Sequence, residues 1–330
     1  MPEVKKETPT DNPEDTVHRG PSPAPDSFVL AHVSDLHLTS LDNTTLSQLL
    51  NKRMLGYLSW WRKRRYVHRP EIVEALLADL KTIQPDHIAI TGDLTHLGLP
   101  DEFAEAGRWL ARLGPPDQVT VIPGNHEAYV GQKWGDQLQA WAAYLKSDDN
   151  QESRKNKGFF PSLRLRGPVA LFGLCSARPS LPFLAVGSLD QRQLDRLAKL
   201  LQTTGDAGLL RVVLVHHPPV PGTIKWRKRL DNSNLFTELI ARCGAELVLH
   251  GHTHAPTYSE IRTLAGGVPV VGAPSASELN QHSNRCASYN LYVIERNGES
   301  WQLKMRVRSY SEVSGCFQEK QETKLMLPRF

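Results

Sequence analysis

Five times along this chain a short apolar run ends directly in a polar group rich in histidine and aspartate. Phe28–Val33 leads to Ser34-Asp35-Leu36-His37, and His87–Thr91 leads to Gly92-Asp93. Val119–Pro123 leads to Gly124-Asn125-His126-Glu127. Val212–Val215 leads to His216-His217-Pro218-Pro219, and Glu246–Leu249 leads to His250-Gly251-His252-Thr253-His254. Apolar runs of this length read as strands buried on both faces. Helical patterns separate them, the clearest with Pro70 in its first turn, a stripe of Ile72, Leu76, Leu80 and Ile83, and Pro85 as its stop. Further helices are expected over 101–113, 134–146, 188–202 and 231–243.

This alternation predicts a largely parallel α/β sheet through residue 254, with helices on its faces. Beyond it, strands at 268–272, 289–295 and 301–309 read as an antiparallel meander. In α/β sheets the carboxyl ends of the strands form the ligand crevice. Five polar groups scattered in sequence are therefore expected to converge on one site.

The seven side chains Asp35, His37, Asp93, Asn125, His216, His252 and His254 offer oxygen and nitrogen ligands and no thiolate. In an extended segment, residues two apart project to one side, so Asp35 and His37 can reach one point. The set is too large for one tetrahedral zinc and suits two adjacent ions, manganese or iron with zinc as the alternative, sharing a carboxylate. Such a pair activates water and neutralises phosphoryl oxygens during in-line attack. His126 is left over beside Asn125 and can give a proton or hydrogen bond to a leaving oxygen.

Composition limits the alternatives. With 330 residues, 40% of them hydrophobic, the chain has room for one large α/β domain with tails or two small domains. A formal charge of +4 gives no argument for nucleic acid. Cys175, Cys243, Cys286 and Cys316 share no Cys-x-x-Cys spacing, which points to a reducing compartment and neither a zinc knuckle nor a disulfide framework. No apolar stretch reaches the roughly 18 residues of a membrane span, and the N-terminus lacks the apolar core of a signal peptide. A cytoplasmic location follows, with attachment to the inner membrane's surface as the variant. Residues 1–26 read as a disordered tail, and 311–330 as a second, polar tail.

Residues 42–69 stand apart. Asn51–Arg69 carries Lys52, Arg53, Arg62, Lys63, Arg64, Arg65 and Arg69 without an acidic residue. Leu50, Met54, Tyr57, Leu58 and Trp61 recur at helical spacing, predicting a basic amphipathic helix. Residues 50–66 could lie on an anionic membrane, grip an anionic substrate, or pack their aromatic face on the domain. A second cluster, Lys225-Trp226-Arg227-Lys228-Arg229, has the same character.

Asp35-Leu36-His37, Gly92-Asp93, Gly124-Asn125-His126-Glu127, His216 and Gly251-His252-Thr253-His254, in that order, resemble the calcineurin-like metallophosphoesterases. The resemblance covers roughly residues 28–295, and the Ser34–Leu38 and Gly92–Thr95 stretches are similar to the bacterial cyclic-nucleotide phosphodiesterase branch. It implies a four-layer α/β/β/α sandwich over 27–310 with a dinuclear metal site at the strand ends, and 42–69 as an insertion. It further implies that Asp35, His37 and His254 hold one ion, that Asn125, His216 and His252 hold the other, that Asp93 bridges them, and that His126 assists the leaving group. His216 is preferred to His217 by the family's His-x-Pro pattern.

Two departures stand out. Gly92-Asp93 lacks the Asp-Arg-Gly continuation of the protein phosphatases, and Glu127 stands where the phosphodiesterase branch has Asp. The function this implies is hydrolysis of a nucleotide or cyclic-nucleotide phosphodiester. The alternative is a membrane-surface pyrophosphatase similar to the UDP-diacylglucosamine hydrolases. All seven ligands being present argues against a metal-less protein-binding scaffold.

Overall fold

Strand β1 (Ser27–Val33) shows how the sandwich is built, because its alternate side chains enter two different cores. Phe28 and Leu30 join one apolar cluster and Ala31 and Val33 another, as the period of two requires. The computed structural model describes residues 27–38, 41–42, 44–131, 134–148, 159–280, 285–298 and 300–330. The tail expected at 1–26 and most of the loop expected at 146–157 lie outside the described residues.

Among the described residues the strands form two six-stranded sheets. The first contains β1, β2 (His87–Ile90), β3 (Val119–Val121), β10 (Ser288–Asn297), β11 (Ser300–Ser311) and β12 (Cys316–Leu325), in the order β12-β11-β10-β1-β2-β3. The second contains β4 (Ser162–Arg166), β5 (Val169–Gly173), β6 (Leu210–Leu214), β7 (Leu247–His250), β8 (Thr257–Thr263) and β9 (Gly266–Gly272), in the order β4-β5-β6-β7-β9-β8. Each sheet is parallel in part, β1-β2-β3 in one and β5-β6-β7-β9 in the other, with antiparallel partners outside.

Leu30, Ala89, Ile122, Leu171, Leu214 and Leu249 pack between the sheets. Helix α1 (Arg53–Ser59) lies in the insertion, whereas α2 (Pro70–Ile83) and α3 (Pro100–Leu113) cover the outer face of the first sheet. Helices α4 (Gln191–Asp206) and α5 (Ser233–Cys243) cover the second, through Leu197, Leu201, Phe236 and Ile240. The four layers expected from the family resemblance are present.

Three expectations need correction. The single, largely parallel sheet is two mixed sheets. The meander is divided between them: β9 pairs with β7 and β8 in the second sheet, while β10 and β11 pair antiparallel in the first. The connection between β9 and β10 thereby carries Ser275, Ser277 and Glu278 across the strand ends. Residues 311–330 are not simply a tail, since β12 pairs antiparallel with β11 and buries Phe317 and Leu325. Being an edge strand, β12 keeps most of its other side chains in solvent, which hides it from a hydrophobicity pattern.

The core also holds neutral imidazoles that give the fold an acid limit. His87 hydrogen-bonds Thr120 Oγ1 through Nε2 at 2.7 Å, and its Nδ1 is buried without a partner. Burial, reinforced by Arg166 and Arg164, lowers its pKa from the ordinary 6.5 to about 3. An unfolded chain therefore binds a proton at His87 in a range where the folded chain does not. Its contribution is intact above about pH 6.5 and is lost as the pH falls toward 3. We expect the urea midpoint of the chelated protein to fall between pH 7.5 and 5, and to fall less steeply in His87→Gln. Parallel pH profiles for the two proteins would refute this.

Candidate metal centre

Backbone pairing continues past the strand ends and fixes the loops that bear the polar groups. Asp35 N donates to Gly92 O at 3.0 Å and His37 N to Asp93 O at 3.0 Å, while Gly251 N donates to His216 O at 3.1 Å. The loops also approach one another closely enough to require glycine. A Cβ at Gly124 would lie 2.2 Å from Asp93 Oδ1, and one at Gly251 would lie 1.9 Å from Ser34 Oγ.

Five of the candidate ligands adopt the left-handed backbone region: Asp35 (φ 53°), His37 (46°), Asp93 (56°), His252 (71°) and His254 (55°). Non-glycine residues are uncommon there, and such residues cluster at functional sites. The turn aims each side chain back across the strand ends.

The candidate ligands from both sheets are thereby brought together. One ligand atom from each of Asp35, His37, Asp93 and His254 lies within 4.8 Å of the others, and Asp93, His216 and His252 form a second such group. Asp93 belongs to both. Asn125 joins the second group, with Oδ1 3.1 Å from His216 Nε2. His217 belongs to neither group, and its Nδ1 bonds Ser176 Oγ at 2.8 Å.

The hydrogen bonds settle which nitrogens are available. His37 Nδ1–H donates to Thr95 O at 2.8 Å, His216 Nδ1–H to Thr91 O at 2.6 Å, and His254 Nδ1–H to Glu278 Oε2 at 2.8 Å. Because these oxygens only accept, Nε2 is the nitrogen of each ring turned toward the candidate centre, oriented by its outer partner.

The inward-facing atoms call for cations. His254 Nε2 lies 3.2 Å from Asp35 Oδ1 and 3.5 Å from His37 Nε2. His252 Nε2 is buried without a hydrogen-bond partner. Burial alone would depress the His216 pKa, yet the Asp93 carboxylate lifts it to about 9, so a proton stands where a cation is favoured. Two carboxylates, four imidazoles, one carboxamide and no thiolate fit two ions of the manganese, iron or zinc type.

Glu127, unexplained by sequence, is the clamp of this arrangement. Its buried carboxylate accepts from Asp93 N at 2.9 Å, Thr95 N at 3.0 Å, Thr95 Oγ1 at 3.1 Å and Gly124 N at 2.7 Å. It thereby joins the loop bearing Asp93 to the loop bearing Asn125. Burial and the nearby Asp93 push its pKa up to about 7.

The insertion reaches the centre in an unexpected orientation. Most of its predicted apolar stripe faces outward, with Leu50 83% exposed and Met54, Leu58 and Trp61 also open to solvent, while Tyr57 alone of the five packs inward against Trp60. The packed side instead uses Leu49 and Trp60 against Leu41, Leu97 and Leu99. Gly56 sits where a Cβ would collide with Tyr129 Oη. The single helix expected there is broken, since α1 passes into a wide turn over Trp60–Arg64 and then a short helical turn at Arg65–Val67. Arg53 is spent on the carbonyls of Leu97 and Gly98.

The turn delivers Arg64, whose Nη1 donates to His126 Nε2 at 3.0 Å, while His126 Nδ1–H donates to His96 O. Burial, then the Arg64 charge, holds the His126 pKa well below its ordinary value. Beside this pair opens a cleft of about 450 Å³. Lys52, Arg64, Lys225, Arg227 and Lys228 line it with no carboxylate among the lining residues. Phe183, also on its wall, is 80% exposed.

Comparison with known proteins gives concordant results. The calcineurin-like phosphoesterase family model matches residues 28–256. A protein named "Probable cyclic nucleotide phosphodiesterase" from Vesicomyosocius okutanii subsp. Calyptogena okutanii (strain HA) is 24% identical over 234 residues, covering 69% of this chain and 85% of the relative. A protein of the same name from Rhodococcus erythropolis is 25% identical over 257 residues, covering 77% and 72%. Among solved structures, a dimetal phosphatase from Danio rerio superposes with a TM-score of 0.60 at 13% identity, covering 90% of this chain and 98% of its own. That last likeness is one of fold.

Proposed function

Because the chain belongs to the calcineurin-like phosphoesterase family, we propose that it hydrolyses a phosphodiester of the nucleotide or cyclic-nucleotide class at a two-metal centre. The observation that carries the reading is the membership of Asp93 in both ligand groups. Asp35, His37 and His254 would hold one ion, Asn125, His216 and His252 the other, and Asp93 would bridge them. Two such ions supply Lewis acidity toward the phosphoryl oxygens and toward the attacking water.

The chain's own residues do the rest. Arg64 is positioned to turn from His126 Nε2 to a phosphoryl oxygen. Nε2 is then free, and the Arg64 charge that disfavours its protonation is turned away, so the ring can take up a proton and pass it to the leaving oxygen. The names of the two curated relatives support a diester substrate. The test is a side-by-side assay of the metal-loaded protein on a simple diester, a monoester, a cyclic nucleotide and a nucleotide-diphospho-lipid. Turnover confined to the monoester would overturn the reading.

A second reading, a pyrophosphatase working on a diphospho-lipid at a membrane surface, is favoured by one observation. Leu50, Met54, Leu58 and Trp61 stand in solvent beside the exposed Arg62 and Lys63, and Leu181 and Phe183 are 73% and 80% exposed by the cleft. Burying such a side chain fully is worth roughly 1.5–3 kcal/mol, so a surface presenting several favours a covering phase. No helix among the described residues is long and apolar enough to cross a membrane, so the contact would be interfacial. The protein is then expected to float with anionic vesicles at low salt, less at high salt, and less again in Leu50→Glu/Trp61→Glu. Absence of flotation at every salt would remove this reading.

A further inference from the structure

We propose that His68, contributed by the insertion, is a further ligand of the ion assigned to Asp35, His37 and His254. The inference rests on the two-ion reading above. A ring nitrogen of each of His37, His68 and His254 lies within 4.8 Å of the other two. The His37 and His68 ring centroids are 4.6 Å apart.

The tautomer of His68 follows from its neighbours. Ser277 Oγ donates its one proton to Leu36 O at 2.6 Å. It can then only accept from His68, whose Nδ1 lies 2.8 Å away. The Nε2 lone pair of His68 is left available, as in His37. A third imidazole is thus oriented by an outer partner in the manner of the other two.

The backbone holds it there. Leu279 N donates to Val67 O at 2.8 Å, and His68 and Glu278 form an isolated antiparallel bridge. Glu278 is the partner of His254 Nδ1. The end of the insertion is therefore stitched to the segment that orients another ligand of the same ion.

The consequence is an unequal centre. His68 would bring a third imidazole to the first ion, on the side of His37 and His254, with which it is grouped, and away from Asp35 and Asp93, with which it is not. The second would have Asp93, Asn125, His216 and His252. More imidazole ligation favours tighter holding of borderline ions.

The test uses the full chain loaded with cobalt and dialysed against graded chelator, with metal per chain measured by atomic emission. Wild type should keep one ion at chelator concentrations that remove the other. His68→Ala should lose that retention by roughly 10- to 100-fold or more and show a changed cobalt visible spectrum. Added imidazole should restore both. An unchanged spectrum and unchanged retention in folded His68→Ala would overturn the proposal. X-ray absorption on wild type carrying only its tighter ion decides independently of that variant's folding, three imidazoles supporting and two overturning. A wild-type chain that takes up no metal pair would overturn the underlying reading instead.

Discussion

Asp93→Asn should lower turnover by about three orders of magnitude and strip at least one ion from the loaded protein. The substitution keeps the shape of the side chain, and Asn tolerates the left-handed backbone that Asp93 adopts. Its effect is therefore one of charge. Two unit charges about 4 Å apart interact by roughly 4 kcal/mol at an effective dielectric of 20, so even a singly charged partner corresponds to about a thousandfold. Asp93 would face two ions, and the amide nitrogen introduced by Asn repels both. Metal content by atomic emission and kcat on a simple diester measure the outcome. A variant with both ions and near-wild-type turnover would remove Asp93 from the bridging role and the site assignment with it.

Glu127→Ala is expected to be the most destabilising single change near the centre. Three backbone amides and one hydroxyl meet on that carboxylate. Removing it leaves buried donors without an acceptor, at about 1–3 kcal/mol for each one unsatisfied. Relaxation and water entry reduce the sum, so a loss of about 3–5 kcal/mol is expected, or roughly 6–20 °C in Tm. Metal affinity should fall as well, because the loops of Asp93 and Asn125 are no longer tied together. Glu127→Gln retains one acceptor oxygen and should lose less. Calorimetry of the chelated proteins separates the fold contribution from that of metal, and equal Tm values for wild type and Glu127→Ala would sink the clamp.

The candidate ligands were legible in the sequence because each is fixed by a local rule, a buried parallel strand delivering the next two or three residues to the sheet's carboxyl edge. Glu127 was not legible, since its role depends on which N–H groups of a different loop face it. Nor was the division of β9 and β10 between sheets, because an apolar strand pattern says nothing about which neighbour it finds. The insertion misled for a related reason. Helical spacing of Leu50, Met54, Leu58 and Trp61 identifies an amphipathic surface but not whether it faces the protein or solvent. Arg64 and His68 were visible only as part of a basic run, until the turn at Trp60–Arg64 separated them from it.

The five left-handed candidate ligands set the centre's needs against those of the bare fold. Each such residue costs on the order of 1 kcal/mol, so together they withhold about 5 kcal/mol from a domain whose net stability is itself about 5–15 kcal/mol. Selection for thermal stability alone would replace them with glycine or asparagine and lose the ions. In return, the backbone itself turns these side chains toward one another, and the loops that carry them are joined by hydrogen bonds rather than by ligand bonds alone. Chelated protein is expected to recover its metal in a single fast phase, which stopped-flow cobalt spectroscopy would check.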